Sequence, residues 1–440
     1  MAATFDAVIV GAGPAGATAA ILLARAGWSV ALIEKQAFPR RKVCGECIAA
    51  SNLPLLDALG VGAAFAAVAG PELRQVGLLH HNQRVVARLP AAAHGRHRWG
   101  RAVGREALDA VLVAQARAVG AVIFQPWSLH SIDGAPGAWH CQIRTTSADR
   151  ALDLQAPLLI AANGSWEALS GGVAPLRGAR NPADLFAFKA NFRGAALAPG
   201  LLPLLALEGG YGGMVATGDG LVTLACCVRR DRLEAVRRAL PGQRAGAAVE
   251  AWLKRECTGA RSALASAERE GPWLAAGPLQ PGSRLGRVDD GLLRIGNAAG
   301  EAHPIIGEGI SMALQSAALL CCELLEAGVP QTGSGAQREL RQRYAARWQR
   351  EFGTRLRLAA SFAALAMRPA GAAGLLATAR LWPALLTWGA RWAGKSHCAV
   401  DLARLGARSG SSGAAVEAPA RTEPSGRCIA ARLKPGKDSP

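Results

Sequence analysis

Residues 8–34 constrain the fold of this chain more than any other stretch. They read V-I-V-G-A-G-P-A-G-A-T-A-A-I-L-L-A-R-A-G-W-S-V-A-L-I-E. The apolar run Ala7–Val10 has the length of a buried strand, and an Ala/Leu-rich segment follows with the composition of a helix. A second apolar run, Val30–Ile33, ends in Glu34 and Lys35. Between strand and helix stand Gly11, Gly13, Pro14, Ala15 and Gly16. Gly11 permits the tight turn, Gly13 lets backbone approach a pyrophosphate, and Gly16 allows close packing of helix on strand. The helix N-terminus beginning at Pro14 and Ala15 meets the phosphate charge, and Glu34 stands where a carboxylate accepts from ribose hydroxyls. The order strand–loop–helix–strand–acid predicts a dinucleotide-binding α/β domain.

A second loop far downstream decides which dinucleotide. Residues 292–316 read L-L-R-I-G-N-A-A-G-E-A-H-P-I-I-G-E-G-I-S-M-A-L-Q-S. A short strand (Leu292–Ile295) runs into Gly296-Asn297, then a Gly/Pro loop, then a helix starting near Glu308. A nicotinamide nucleotide has no use for such a loop so late in the chain. A flavin does, because its ribityl chain and ring need their own cradle. Pro304 would hold the loop against the ring, and Gly307 and Gly309 would let the backbone come close. The helix from Gly309-Ile310 would aim its N–H groups at the ring and favour the reduced, anionic flavin. FAD is therefore the expected cofactor.

Three further segments accompany these motifs: Arg40-Arg41-Lys42-Val43-Cys44-Gly45-Glu46, Gly104-Arg105-Glu106-Ala107-Leu108-Asp109, and Leu158–Ser165 with Asn163. Together the five resemble the motifs of FAD-dependent oxidoreductases in the superfamily of para-hydroxybenzoate hydroxylase and the geranylgeranyl reductases. The resemblance covers about residues 5–395. It implies that Arg105 lies near the FAD pyrophosphate and that Arg41, Cys44 and Gly45 belong to a loop close to the flavin. Two Asp residues usual in the superfamily are replaced here by Asn163 and Asn297. An Asn at position 297 can still accept a ribityl hydrogen bond, without charge. The Y-x-W-x-F-P substrate segment of the prenyl reductases is absent, with Gly210-Tyr211-Gly212-Gly213-Met214 in its region. The W-x-W-x-I-P signature of flavin-dependent halogenases is also absent, which argues against halogenation.

The expected fold class is α/β: a doubly wound, Rossmann-like FAD-binding domain, an inserted β-sheet substrate domain and a C-terminal helical extension. Residues 1–165 form the first part of the FAD domain, with an excursion at about 71–93 to the substrate domain. The substrate domain spans 166–285, and 286–329 return to the FAD domain. Residues 330–404 are helical, their apolar segments broken by Arg368-Pro369, Arg380 and Pro383. Residues 405–440, rich in Gly, Ser, Ala and Pro, read as a disordered tail. A hairpin is expected at Trp139–Leu154 and strands at Leu185–Phe192 and Leu221–Val228.

The net charge is +18 over 440 residues. No basic run interleaves with aromatics, so nucleic acid is not an expected partner. Arg spread over the surface accounts for most of it. The C-terminal helices form either a packed layer or a peripheral membrane contact anchored by Trp382, Trp388 and Trp392. The N-terminal apolar run is short and claimed by the cofactor motif, so a cytoplasmic enzyme is expected, or one peripheral to the inner face of a membrane. The ten Cys are scattered, as in a reduced protein. Cys44-Gly45-Glu46-Cys47 is open to three readings: a redox dithiol, half a zinc site, or a loop shaping the flavin pocket. No second Cys or His pair stands at metal spacing, so no metal is expected.

Candidates for direct chemistry are His303, Glu46 and Tyr211. His303 changes charge near neutral pH, Glu46 is implied to lie near the ring, and Tyr211 could bind a substrate oxygen. The expected activity is an NAD(P)H-fed monooxygenase acting on a hydrophobic phenolic or polyketide-like small molecule, with NAD(P)H bound only transiently. The alternatives are a reductase saturating double bonds of a prenyl or other lipid chain, and a non-catalytic flavin-binding protein.

Overall fold

The computed structural model describes residues 2–92, 95–145, 150–165, 169, 180–286, 289–328, 333–395, 398 and 400. The tail expected at 405–440 lies outside them. Five parallel strands form the first sheet, in the order Leu293–Arg294, Leu158–Ala161, Ala7–Val10, Val30–Ile33, Val122–Phe124. Its inner strands are apolar at every position because both faces are covered. Ala7, Ile9, Leu32 and Ile160 pack on the helices Pro14–Arg25, Arg105–Ala118 and Gly309–Glu326. Val8, Val10, Ala31, Ile33 and Leu159 point the other way, onto Trp139, Cys141, Ile143 and Leu154 of a four-stranded sheet. That second sheet includes Trp127–Ala135, a strand the sequence reading did not separate from the hairpin beside it. Its residues alternate weakly because neither face is deeply buried.

The third sheet has seven strands, in the order Glu268–Ala276, Leu185–Arg193, Leu221–Arg229, Gly210–Ala216, Leu201–Leu207, Gln75–His80, Gln83–Arg88. The two strands of residues 75–88 thus join a sheet whose other members come from residues 185–276. Alternation sorts its two faces. Phe188, Phe192, Leu224, Cys226 and Val228 pack on the helix Ala245–Glu256, where Trp252 is fully buried. The opposite face carries Ala187, Lys189 and Asn191, paired in register with Cys227, Ala225 and Thr223, and Tyr211 opposite Cys227. This second face looks toward the first sheet's loops and the C-terminal helices.

The helix Ser334–Ala366 lies along Gly309–Glu326, burying Tyr344, Trp348 and Phe352. Its last turns reach the seven-stranded sheet, where Ala363 packs on Tyr211 and Cys227. After a break at Met367-Arg368 the chain turns through 104° into the helix Pro369–Leu381. Ala372, Leu376 and Ala379, at helical spacing, pack on Leu78, Val85 and Ala206. Arg380 interrupts the apolar run but not this helix. Arginine is a good helix former, and here it sits on the exposed side. Among the described residues one helix, Gly309–Glu326, is long and apolar enough by itself to cross a membrane, and 83% of it is buried inside the protein.

Candidate functional site

The first βαβ unit sets one end of the site. Gly11 has φ +103°, and a Cβ there would stand 2.5 Å from the Ala162 carbonyl oxygen. A Cβ on Gly16 would stand 1.8 Å from the Gly11 oxygen. Both positions therefore require glycine to bring strand, loop and helix together. Gly13 is different: its nearest neighbour is an Arg105 guanidinium nitrogen at 3.7 Å, so its face is left to a ligand. Pro14 is the first helical residue, Ala15 follows it, and no side chain caps this helix. Its first-turn amides thus face the loop without a protein carboxylate or hydroxyl.

Glu34 is buried and accepts hydrogen bonds from the amides of Ala12 (3.1 Å) and Gln36 (3.0 Å). Arg40 bridges Glu34 (3.3 Å) and Asp109 (3.6 Å). Arg105 holds Asp109 with two nitrogens, at 2.9 and 2.8 Å. Glu34, Arg40, Lys42, Asn163 and Lys35 line a cleft of about 360 Å³. Burial, then the nearby Arg105 and Arg40, pushes the Lys42 ammonium down to about 8. An anion in the cleft would relieve that repulsion. Arg41 also lines the cleft, but its guanidinium is held by Glu270 (3.1 Å) and Glu106 (3.6 Å). Opposite charge beside it fixes the side chain across the cleft wall.

The downstream loop meets the first motif directly. Gly296 has φ +60°, and a Cβ on it would come within 2.8 Å of the Ala15 Cβ. The Gly296 amide donates to Ser316 (2.7 Å), which seats the loop on the helix Gly309–Glu326. Asn297 donates through Nδ2 to Ser165 (2.9 Å), leaving Oδ1 as an acceptor. Pro304 is exposed, Gly307 adopts φ +61°, and a Cβ on Gly309 would meet open space. Ile310 is 4% exposed within the main core, so only its amide, and not its side chain, is available to a cofactor. Two glycine loops separated by most of the chain thus share one contact. This arrangement could hold a flavin dinucleotide, with Glu34 toward an adenosine, Gly13 and Arg105 toward a pyrophosphate, and the second loop toward the rest.

Residues 4–184 match the family model of the FAD binding domain. That part of the chain is thus similar to FAD binding domains. Conditioned medium factor receptor 1 of Dictyostelium discoideum is 25% identical over 342 residues, 73% of this chain and 64% of the receptor. Tryptophan 2-halogenase of Chondromyces crocatus is 53% identical over 53 residues, 12% of this chain and 10% of its own. Menaquinone reductase of Mycobacterium tuberculosis is 47% identical over 57 residues, 13% and 14% of the two chains. The chain spans less than two thirds of the length of each of these relatives. Among solved structures, a flavin-dependent brominase superposes with TM-score 0.70 at 17% identity, covering 90% of this chain and 94% of that one. The myxobacterial chondrochloren halogenase gives 0.69 at 20%, covering 81% and 82%. A geranylgeranyl bacteriochlorophyll reductase-like protein from Thermoplasma acidophilum gives 0.61 at 16%, covering 89% and 100%. At these identities the likeness is one of fold.

Two buried polar groups lie on the inward face of the seven-stranded sheet. In the first, the Tyr211 hydroxyl and His303 Nδ1 are 2.8 Å apart, with ring centroids at 5.4 Å. Tyr211 also accepts from the Ile305 amide. Burial pushes the His303 imidazolium down to about 4, so the ring is neutral at pH 7. Either ring nitrogen can carry the proton of the neutral ring, so the direction of the bond follows the tautomer. Burial pushes the neighbouring Cys227 thiol up to about 12. Glu301, 5% exposed, accepts from Arg284 and the Gln280 amide, and burial raises its pKa.

The second group centres on Glu46, which adopts φ +58° and is 1% exposed. Its carboxylate accepts from the Lys189 ammonium, the Thr223 hydroxyl and the Arg105 amide, and Thr223 in turn reaches Asn191 at 3.2 Å. Three donors engage the carboxylate of this candidate and hold its loop in place. Beside it, Cys44 is half-buried and accepts from the Glu46 amide at 3.4 Å, while Gly45 is exposed. Lys189, Asn191 and Thr223 were missed from sequence. The signal was there: Lys189 and Asn191 are polar residues at alternate positions in an apolar strand, on the face opposite Phe188 and Phe192.

Proposed function

We propose that this protein is an FAD-dependent monooxygenase that hydroxylates a hydrophobic phenolic or polyketide-like substrate, with NAD(P)H as its transient electron donor. The buried Tyr211–His303 hydrogen bond carries this reading. Bound FAD would supply the redox chemistry and the activated oxygen. Glu34, Gly13, Arg105 and the loop of Gly296 and Asn297 would hold it. A phenolic oxygen can hydrogen-bond to the Tyr211 hydroxyl, and the neutral His303 ring beside it fixes where that hydroxyl points.

A second reading is reduction of double bonds in a lipid chain. The half-buried Cys44 beside Arg105, in a loop fixed through Glu46, favours it. Both readings are tested with FAD-loaded protein, NADPH or NADH, oxygen, and sets of phenolic and polyene substrates, with bromide and chloride present. The product of a monooxygenase gains one oxygen, and flavin bleached by NAD(P)H without air recovers its colour in air. A product heavier by two hydrogens moves the assignment to the reductase. A halogenated product overturns both.

A further inference from the structure

Large apolar side chains stay exposed at eight places among the described residues, and four of these fall between Leu381 and Trp392. Leu381 is 89% exposed, and Trp382, Trp388 and Trp392 are 65%, 57% and 55% exposed. Trp388 and Trp392 are one helical turn apart, with ring centroids at 5.4 Å. The segment that presents them is not loose. Leu386 packs on the cluster of Leu78, Val85 and Ala206, and the Thr387 hydroxyl donates to the Arg88 carbonyl at 2.6 Å. The helix Ala384–Ala390 therefore holds one side against the seven-stranded sheet and turns its tryptophans outward.

Charge sorts with this patch. From Phe352 to Val400 the sequence has six Arg and Lys and not one Asp or Glu. Arg380 and Arg391 flank the exposed aromatic residues, and Arg84 and Arg88 lie exposed on the strand that the helix covers. Clustered exposed tryptophans are costly in water and suit the headgroup level of a bilayer, where an amphipathic ring finds both apolar and polar surroundings. Arginines around them meet anionic headgroups.

We infer that the edge formed by Leu381, Trp382, Trp388 and Trp392, with Arg380, Arg391, Arg84 and Arg88 around it, docks on an anionic lipid bilayer surface. The tryptophans enter the interface and the arginines sit over the headgroup phosphates. The surface is built on the helices that close the inward face of the sheet, so docking would bring a membrane beside the wall of the proposed site. The inference itself does not depend on which reaction the site performs.

The test uses the full chain loaded with FAD and vesicles of phosphatidylcholine, with or without an equal part of phosphatidylglycerol. The protein should float with the mixed vesicles and little with phosphatidylcholine alone, and high salt should release it. Brominated acyl chains should quench its tryptophan fluorescence. Trp382→Ala/Trp388→Ala/Trp392→Ala should remove the quenching. Arg380→Gln/Arg391→Gln should weaken binding by about tenfold or more. Leu152→Ala, at an exposed apolar residue on the four-stranded sheet, should change neither. Retained FAD and circular dichroism show that each variant is folded. No flotation of the native chain, or equal loss with Leu152→Ala, overturns the inference. So does a native dimer that falls apart in the tryptophan variant, since a second copy would then be the occupant.

Discussion

Lys189 and Glu46 form an ion pair in which neither side chain is more than 1% exposed. They come from different parts of the fold: Lys189 from the middle of a seven-stranded sheet, Glu46 from the loop after the first βαβ unit. The pair ties that loop to the sheet. It also compensates a left-handed backbone conformation at Glu46, which costs a non-glycine residue roughly 1 kcal/mol or more.

Removing one partner of such a pair leaves an uncompensated buried charge. Lys189→Met should destabilise the protein by about 3–5 kcal/mol in denaturant unfolding. Thr223 and the Arg105 amide would still contact Glu46, but neither carries charge. Lys189→Met/Glu46→Gln should recover most of the loss, because both charges are then gone. A double variant as unstable as the single one would show that packing, and not charge, is what Lys189 supplies.

The strand–glycine loop–helix unit was legible in the sequence because each of its requirements is local. Gly11 and Gly16 lie within one turn and helix start, and Glu34 ends the next strand. The downstream loop was legible for the same reason. What the sequence did not reveal is long-range. Glu46 is written next to two cysteines, and nothing beside it announces that Lys189 and Thr223 arrive from another sheet. Tyr211 and His303 were each visible as candidates, yet their contact depends on a strand and a loop from different parts of the chain. The strand Trp127–Ala135 was lost because its weak alternation reflects a half-buried sheet.

The His303 ring gives the protein a pH dependence with a definite sign. Its pKa falls from 6.5 in the open chain to about 4 in the fold. The unfolded chain therefore binds a proton that the folded one refuses. Stability from this group is complete above pH 6.5 and is lost as pH falls toward 4, by roughly 3 kcal/mol in all. His303→Gln should flatten that part of the unfolding free energy measured against pH. If the Tyr211 hydroxyl orients the substrate oxygen, Tyr211→Phe should lower kcat by about a hundredfold with a smaller change in KM. An unchanged kcat would remove Tyr211 from the chemistry.

Two glycines one turn apart should behave differently. Gly16→Ala drives a methyl group to within 1.8 Å of the Gly11 oxygen, so strand and helix must separate. Both thermal stability and FAD content should fall. Gly13→Ala meets only the end of Arg105 at 3.7 Å. The protein should keep its melting temperature without FAD and lose about tenfold or more in FAD affinity, because the methyl occupies the approach of the pyrophosphate. Equal FAD affinity in Gly13→Ala would move the phosphate away from this loop.

Lys42 links FAD binding to pH at the other end of the scale. Burial and the neighbouring Arg105 and Arg40 hold its ammonium near 8 when no anion is present. A pyrophosphate beside it favours the charged form, so its pKa rises when FAD binds. Above pH 8 binding must then take up a proton, and the apparent Kd should increase with pH, approaching tenfold per unit. Below pH 7 the group is already charged and the dependence should vanish. Lys42→Met should weaken binding at pH 7 and abolish the slope above 8. Flavin fluorescence titrations of the native and variant proteins between pH 6 and 10 measure both effects. A slope that survives in Lys42→Met would assign the proton to a different group.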